Sequence, residues 1–330
     1  MYPRTMTNVL KSIASPVLVA PMAGGPITPE VVRAAAAAGS LGTLAVGTTT
    51  AEATASLLDE MDGICFGLNL FAPQPPLTES ELAQAQALAD AEGVELGTPD
   101  YTSAWDAKLE VALSHRNRPA VVWSMFGAPS TEGVARIHAA GSEAWATVTT
   151  PEEAREAAAR GIDALCVQGP EAGGHRGVWD YAAEPDWRAL GELVAAVHAV
   201  VPDMPLIAAG GLRTAADVAE ALSWPGVVKV SCGSAFLLAD EAGTSAWNRS
   251  LLEHPGKTTS SRAFSGRYAR GLETEYTRTH PGVGPVYPHI NAILKARRAA
   301  QDPAVAYCLV GIRPGELRGG SVAEILARLS

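Results

Sequence analysis

Residues 150–177 read TPEEAREAAARGIDALCVQGPEAGGHRG, and three kinds of local order succeed one another within them. Thr150, Pro151 and two glutamates start a helix, because a threonine side chain accepts free N–H groups of the first turn and proline fits its first position. The alanine-rich run after them ends at Gly161, where a left-handed residue turns the chain back. Ala164 to Val167 is short and wholly apolar, as a strand covered on both faces must be. The chain leaves that strand through Gln168 and a glycine-rich loop, and the loop carries His175.

This unit recurs along the chain. Apolar runs lie at Val17 to Ala20, Leu41 to Val46, Cys65 to Leu70, Ala120 to Ser124, Ala144 to Thr147, Ala164 to Val167, Leu206 to Ala209 and Val227 to Ser231. Helical stretches separate them, with start signals such as Thr28-Pro29-Glu30 and Thr214 to Asp217 and stop signals at Gly39 and Gly141. Eight alternations predict an α/β fold of the (β/α)8 TIM-barrel type, a closed parallel sheet with helices outside. An open doubly wound sheet fits less well, since PMAGG and not GxGxxG comes after the first strand. PQPPL (73–77) opens an insertion expected to decorate the barrel mouth. After Leu238 the pattern breaks into SRAFSGRYARGLETEY (261–276), HPGVGPVYPH (280–289) and NAILKARRAA (291–300). The expected division is a barrel over 1–239, a small, mainly helical cap or substrate domain over 240–310, and a C-terminal helix within 311–330 that packs back on the barrel.

Composition narrows the function. With 47% hydrophobic and 18% charged residues the 330-residue chain is expected to fold as an ordered globular protein. The net charge of −10 and the lack of a basic run argue against nucleic acid as a partner. No apolar run is long enough to span a membrane, and MYPRTMTNVLKSIASP lacks the apolar core of a secretory leader, so a cytoplasmic location is expected. Cys65, Cys166, Cys232 and Cys308 show no CxxC spacing and are expected to be reduced.

Barrel enzymes work at the carboxyl ends of their strands. The residues just beyond the apolar runs are Pro21 to Gly25, Asn69, Gln168 with its glycine loop, Gly210-Gly211 and Gly233-Ser234. Glycines let backbone N–H groups approach a phosphate closely, whereas Asn69 and Gln168 suit the donor and acceptor edge of a heteroaromatic ring. Flavin mononucleotide (FMN) has both parts. His175 is the candidate acid or base; a loop histidine bonded to a neighbouring carbonyl is the plainer alternative. The other six histidines show no metal-ligand spacing, so no metal is expected. Lys229 could form a Schiff base but is expected to point outward to a helix or pair with a carboxylate, and Glu171 is expected in solvent.

PMAGGPITPE (21–30), GLNLF (67–71), QGPEAGGHRG (168–177), LIAAGGLRTAADV (206–218), GSAFL (233–237) and SRAFSGRYARG (261–271) together resemble the nitronate monooxygenase family, formerly 2-nitropropane dioxygenases. The resemblance runs from about residue 10 to about residue 300. It implies an FMN-binding barrel that oxidises alkyl nitronates, and in some cases nitroalkanes, with O2 to carbonyl compounds and nitrite, without metal or nicotinamide. It implies backbone contacts to flavin from Met22, Ala23 and Gly24, and contacts from Asn69 and Gln168. Gly173 and Gly174 would lie beside the flavin, and Gly210, Gly211, Gly233 and Ser234 at its phosphate. Ser231 stands where relatives often carry Gln, and Ser234 where Thr is usual. His175 matches the catalytic histidine; Tyr287 and Lys295 match substrate-binding positions, with Asn291 where a second Tyr would be. A cationic His175 or Lys295 could anchor a nitronate. The partners expected are a small-molecule substrate and O2, on a monomer or homodimer. The rival readings are an FMN-dependent enoyl-acyl-carrier-protein reductase using NAD(P)H, a phosphate-binding regulatory barrel, and a Lys229 aldolase.

Overall fold

The computed structural model describes residues 8–330, so the part of the leader reading that rests on residues 1–7 lies outside the described residues. Eleven strands are formed among them: β1 (Val17–Val19), β2 (Thr43–Ala45), β3 (Gly67–Phe71), β4 (Val121–Met125), β5 (Glu143–Val148), β6 (Ala164–Gln168), β7 (Gly174–His175), β8 (Leu206–Ala209), β9 (Val227–Cys232), β10 (Thr258–Ser261) and β11 (Ala269–Leu272). Eight of them pair in parallel in the order β1-β9-β8-β6-β5-β4-β3-β2. A parallel bridge between Val19 and Gly42 joins the two ends, with the Val19 N–H donating to Leu41 O at 3.0 Å. All eight apolar runs thus become staves of one barrel.

Alternation within each stave explains why the runs are apolar throughout. One set of side chains, including Val19, Leu68, Val122, Ala146, Val167 and Ala208, packs outward on the helices. The other set, including Leu18, Trp123, Trp145, Cys166 and Ile207, fills the interior with Leu10 and Ile13. Trp123 and Trp145 meet edge to face at 5.6 Å in this inner layer. Lys229 stands beside Ile207 in register, and its ammonium donates to Ile13 O (2.7 Å) and Ser15 O (2.8 Å), carbonyls just before β1. It therefore braces the end of the barrel opposite the mouth, instead of pointing outward or meeting a carboxylate.

The helix boundaries obey the polar signals. Thr28, Thr150 and Thr214 each accept an N–H of the first turn, and Thr214 forms a reciprocal box with Asp217. Gly161 ends its helix at φ +95°, a conformation costly for any side chain. Beyond the barrel, β10, β11 and β7 form an antiparallel sheet that the sequence pattern did not announce. TTSS and ARGL are short segments without a clean alternation of apolar and polar residues. Helix Glu79–Glu92 of the insertion and helix His289–Ile293 share an apolar cluster through Ala85, Ala89, Ile290 and Ile293. Helix Val322–Leu329 returns its apolar face to the barrel core, beside helices Pro29–Ala37 and Ala215–Leu222. No helix among the described residues is long and apolar enough to cross a membrane, and the four cysteines are unpaired.

Candidate active site

A cavity of about 330 Å³ opens at the carboxyl ends of the staves. Met22, Ala23 and Gly24 reach it from the loop after β1, Asn69 from β3, Gln168 from β6, and Gly173, Gly174 and His175 from the loop beyond. Gly210 and Gly211 come directly after β8, Ser231, Gly233 and Ser234 from β9 and its end, and Tyr287 and Asn291 descend from the cap. Lys295 does not line the cavity and is exposed.

One end of the cavity is made of backbone. Gly210 (φ +133°) and Gly211 (φ +71°) adopt conformations that side chains resist. Gly173 is needed for closeness: a β-carbon there would stand 2.4 Å from Gly311 N and 2.8 Å from Ser234 Oγ. The Gly311 N–H donates to Ser234 Oγ at 3.0 Å, which leaves the hydroxyl proton for a ligand. Among the described residues no protein acceptor takes the N–H groups of Gly211, Gly233 or Ser234. This cradle fits a phosphate.

Amides mark the other end. Asn69 Nδ2 donates to Trp123 O at 2.9 Å, so its Oδ1 is left for a donor such as a ring N–H. Gln168 is more committed than expected. Its Nε2 donates to His175 O (3.0 Å) and its Oε1 accepts from Gly177 N (2.7 Å), which braces the histidine loop from within. Arg176 caps the Gln168 carbonyl, and β7 pairs with β11 so that His175 stands opposite Ala269. Glu171 is not a solvent residue: it accepts the Leu190 N–H at 3.2 Å, at the start of helix Leu190–Val200, where a negative charge is favoured.

His175 is thus fixed by its own backbone, and its ring is fixed separately. Nε2 is hydrogen-bonded to Ser265 Oγ at 2.8 Å, and Tyr287 and Phe126 meet the imidazole edge to face at 5.5 and 5.8 Å. Nδ1 has no partner among the described residues. Loss of solvent, reinforced by the charges of Arg267 and Arg298, pushes the imidazole down to about 3. Arg267 is fully buried, donates to Val178 O and Gln74 Oε1, and lies 4.0 Å over the Phe126 ring. Arg298 donates to Asn291 Oδ1 and Phe264 O, both at 2.8 Å, and lies over Tyr307 at 4.5 Å.

Ser265, Arg267, Arg298 and Phe126 escaped the sequence reading. The first two lie in SRAFSGRYARG, a stretch visible as a motif, but nothing in it showed that it would fold 90 residues back onto His175. Phe126 holds φ +68°, a left-handed strain that no composition reveals and that tends to mark functional walls.

A closed parallel barrel with a backbone anion cradle, ring-edge amides and one neutral histidine at a single mouth defines a (β/α)8-barrel enzyme with a nucleotide-sized pocket. Residues 6–321 match the family model described as nitronate monooxygenase. A nitronate monooxygenase of Pseudomonas aeruginosa is 33% identical over 315 residues, covering 90% of this chain and 88% of that protein. A solved nitroalkane oxidase of Streptomyces ansochromogenes superposes with a TM-score of 0.87 at 33% identity, covering 98% of this chain and 96% of its own. An enoyl reductase domain from the macrolactin cluster of Bacillus amyloliquefaciens gives a TM-score of 0.62 at 13% identity, covering 98% and 96%, a likeness of fold alone. The chain belongs to the nitronate monooxygenase family and is an oxidoreductase.

Proposed function

We propose that this protein is an FMN-dependent nitronate monooxygenase, which oxidises alkyl nitronates with O2 to carbonyl compounds and nitrite. The observation that carries the reading is the meeting of an anion cradle, ring-edge amides and a neutral histidine in one cavity. FMN bound there would accept electrons from the substrate and pass them to dioxygen.

The chain's own part begins with holding the cofactor. The N–H groups of Gly210, Gly211, Gly233 and Ser234 would surround the phosphate, while Met22 to Gly24, Asn69, Gln168, Ser231 and the Gly173-Gly174 turn would bound the ring. Tyr287 and Phe126 wall the space beside His175 and exclude water from it.

With its proton affinity so low, His175 is neutral at physiological pH and does not serve as a cationic anchor. Lys295 faces solvent and does not serve either. The positive field comes from Arg267 and Arg298, which sit behind the aromatic walls. The charges that disfavour an imidazolium favour an anionic substrate, so a preformed nitronate suits this site better than a neutral nitroalkane. When a nitroalkane enters, the free imidazole nitrogen can take the α-proton, and the arginines stabilise the negative charge as it develops. Oxygen uptake and nitrite release with propionate 3-nitronate test the proposal. Bleaching of a bound flavin by NADH without oxygen, with no turnover of the nitronate, would instead indicate an enoyl reductase.

A further inference from the structure

Among the described residues lining the cavity, Arg213 is the only one with a fixed positive charge, and no carboxylate lines it. Arg213 stands just after the Gly210-Gly211 turn, and its backbone N–H is tied to Asp217 Oδ2 at 2.8 Å, which fixes the main chain there. The guanidinium donates to Ile312 O at 3.2 Å, and its Nη2 lies 3.1 Å from where a β-carbon on Gly311 would stand. Gly311 is the residue whose N–H holds Ser234 Oγ and whose nitrogen crowds Gly173. The charge therefore stands where the turns after β8 and β9 meet.

Its hydrogen bonding is incomplete. Arg213 Nε is buried without a partner, and Ile312 O is the one acceptor the group finds among the described residues. Arg176, Arg262 and Arg267 also leave Nε unpaired, but Arg176 donates to the carbonyls of Gln168 and Asp186, Arg262 Nη2 reaches three carbonyls and Arg267 is packed against aromatic rings. Asp217 does not neutralise the Arg213 guanidinium: its carboxylate bonds the N–H groups of Arg213 and Thr214 and the Arg313 guanidinium at 2.7 Å. Arg213 is half-buried at the cavity wall, and a guanidinium there with unspent donors is a ready partner for an anion.

We infer that Arg213 is a phosphate-binding residue, the charged partner of the flavin's terminal phosphomonoester, and that it makes this pocket select FMN over riboflavin. The inference rests on the flavin reading above. Backbone N–H groups alone offer neutral donors; a guanidinium adds charge and a forked geometry matched to phosphate oxygens.

The test is a binding measurement on the flavin-stripped protein. FMN and riboflavin are titrated separately by fluorescence quenching into the wild type, Arg213→Met, Arg213→Lys and Arg213→Gln. Arg213→Met is expected to weaken FMN by roughly 10- to 100-fold, the worth of a charge-assisted hydrogen bond, and to leave riboflavin within about threefold. Arg213→Lys should fall between, and Arg213→Gln gives the same comparison should the methionine variant not fold. Inorganic phosphate should compete with FMN but not with riboflavin in the wild type. An unchanged ratio of FMN to riboflavin affinity in the folded variants would overturn the role of Arg213 and leave the flavin reading standing. A wild type that binds neither flavin would overturn both.

Discussion

Replacing His175 by asparagine separates its chemical role from its structural one. Its loop is held by backbone: Gln168 Nε2 bonds the His175 carbonyl and β7 pairs with β11 through main-chain groups, so the substitution should leave the flavin site intact. What is lost is the imidazole nitrogen able to accept a proton. Removing a positioned base typically costs 10²- to 10⁴-fold in rate, about 3–5 kcal/mol. A nitronate arrives already deprotonated and loses at most one neutral hydrogen bond, about 0.5–1.5 kcal/mol or roughly two- to tenfold. The ratio of kcat/KM for ethyl nitronate to that for nitroethane should therefore rise by at least about tenfold in His175→Asn. Nitrite release and oxygen uptake on the two substrates in parallel measure it, with flavin content checked on the same samples. Equal losses on both substrates would refute the base assignment.

The same contacts have other consequences. The folded protein protonates His175 only near pH 3, whereas the unfolded chain does so near its ordinary value of 6.5. Across that window the unfolded state alone gains the proton, so stability should decline as pH falls from about 6.5 to about 3 and be independent of His175 above it. The kcat/KM profile for nitroethane, whose α-proton His175 removes, should accordingly show no inflection near 6.5; Arg298→Gln, which removes one opposing charge, should move its acid limb upward, and a limb that stays in place would exclude that electrostatic link. Gly173→Ala drives a β-carbon into the backbone of Val310 and Gly311, where nothing flexible can yield, and should lower stability by about 1–3 kcal/mol with loss of bound flavin, read by thermal melting and absorbance. Lys229→Met strands the carbonyls of Ile13 and Ser15 and should lower Tm while leaving kcat unchanged; borohydride should trap no adduct on the wild type.

Much of this architecture is legible in the sequence because its causes are local. Apolar runs bounded by threonine caps and glycine stops specify staves and helices, and a barrel brings every post-stave turn to one mouth. That is why Met22, Asn69, Gln168, His175, Gly210 and Ser234 meet although up to 212 positions separate them. What stayed hidden depends on contacts between distant segments or on breaks within apparently regular ones. NAILKARRAA looks like one helix, which would put Lys295 one turn beyond Asn291. Helix His289–Ile293 instead ends at Leu294 (ψ +3°) and a second short helix starts at Lys295, so that Arg298 and not Lys295 turns back to Asn291. Ser265 could not be assigned to His175 from spacing, since only the pairing of β11 with β7 brings their segments together.

The visible absorption spectrum of the purified protein, recorded as propionate 3-nitronate is added under air with nitrite monitored, tests the central claim most directly. The account predicts the bands of oxidised flavin, released as FMN on denaturation, and catalytic formation of nitrite. A colourless protein that takes up no FMN on incubation, or a flavoprotein inert to the nitronate, would contradict it.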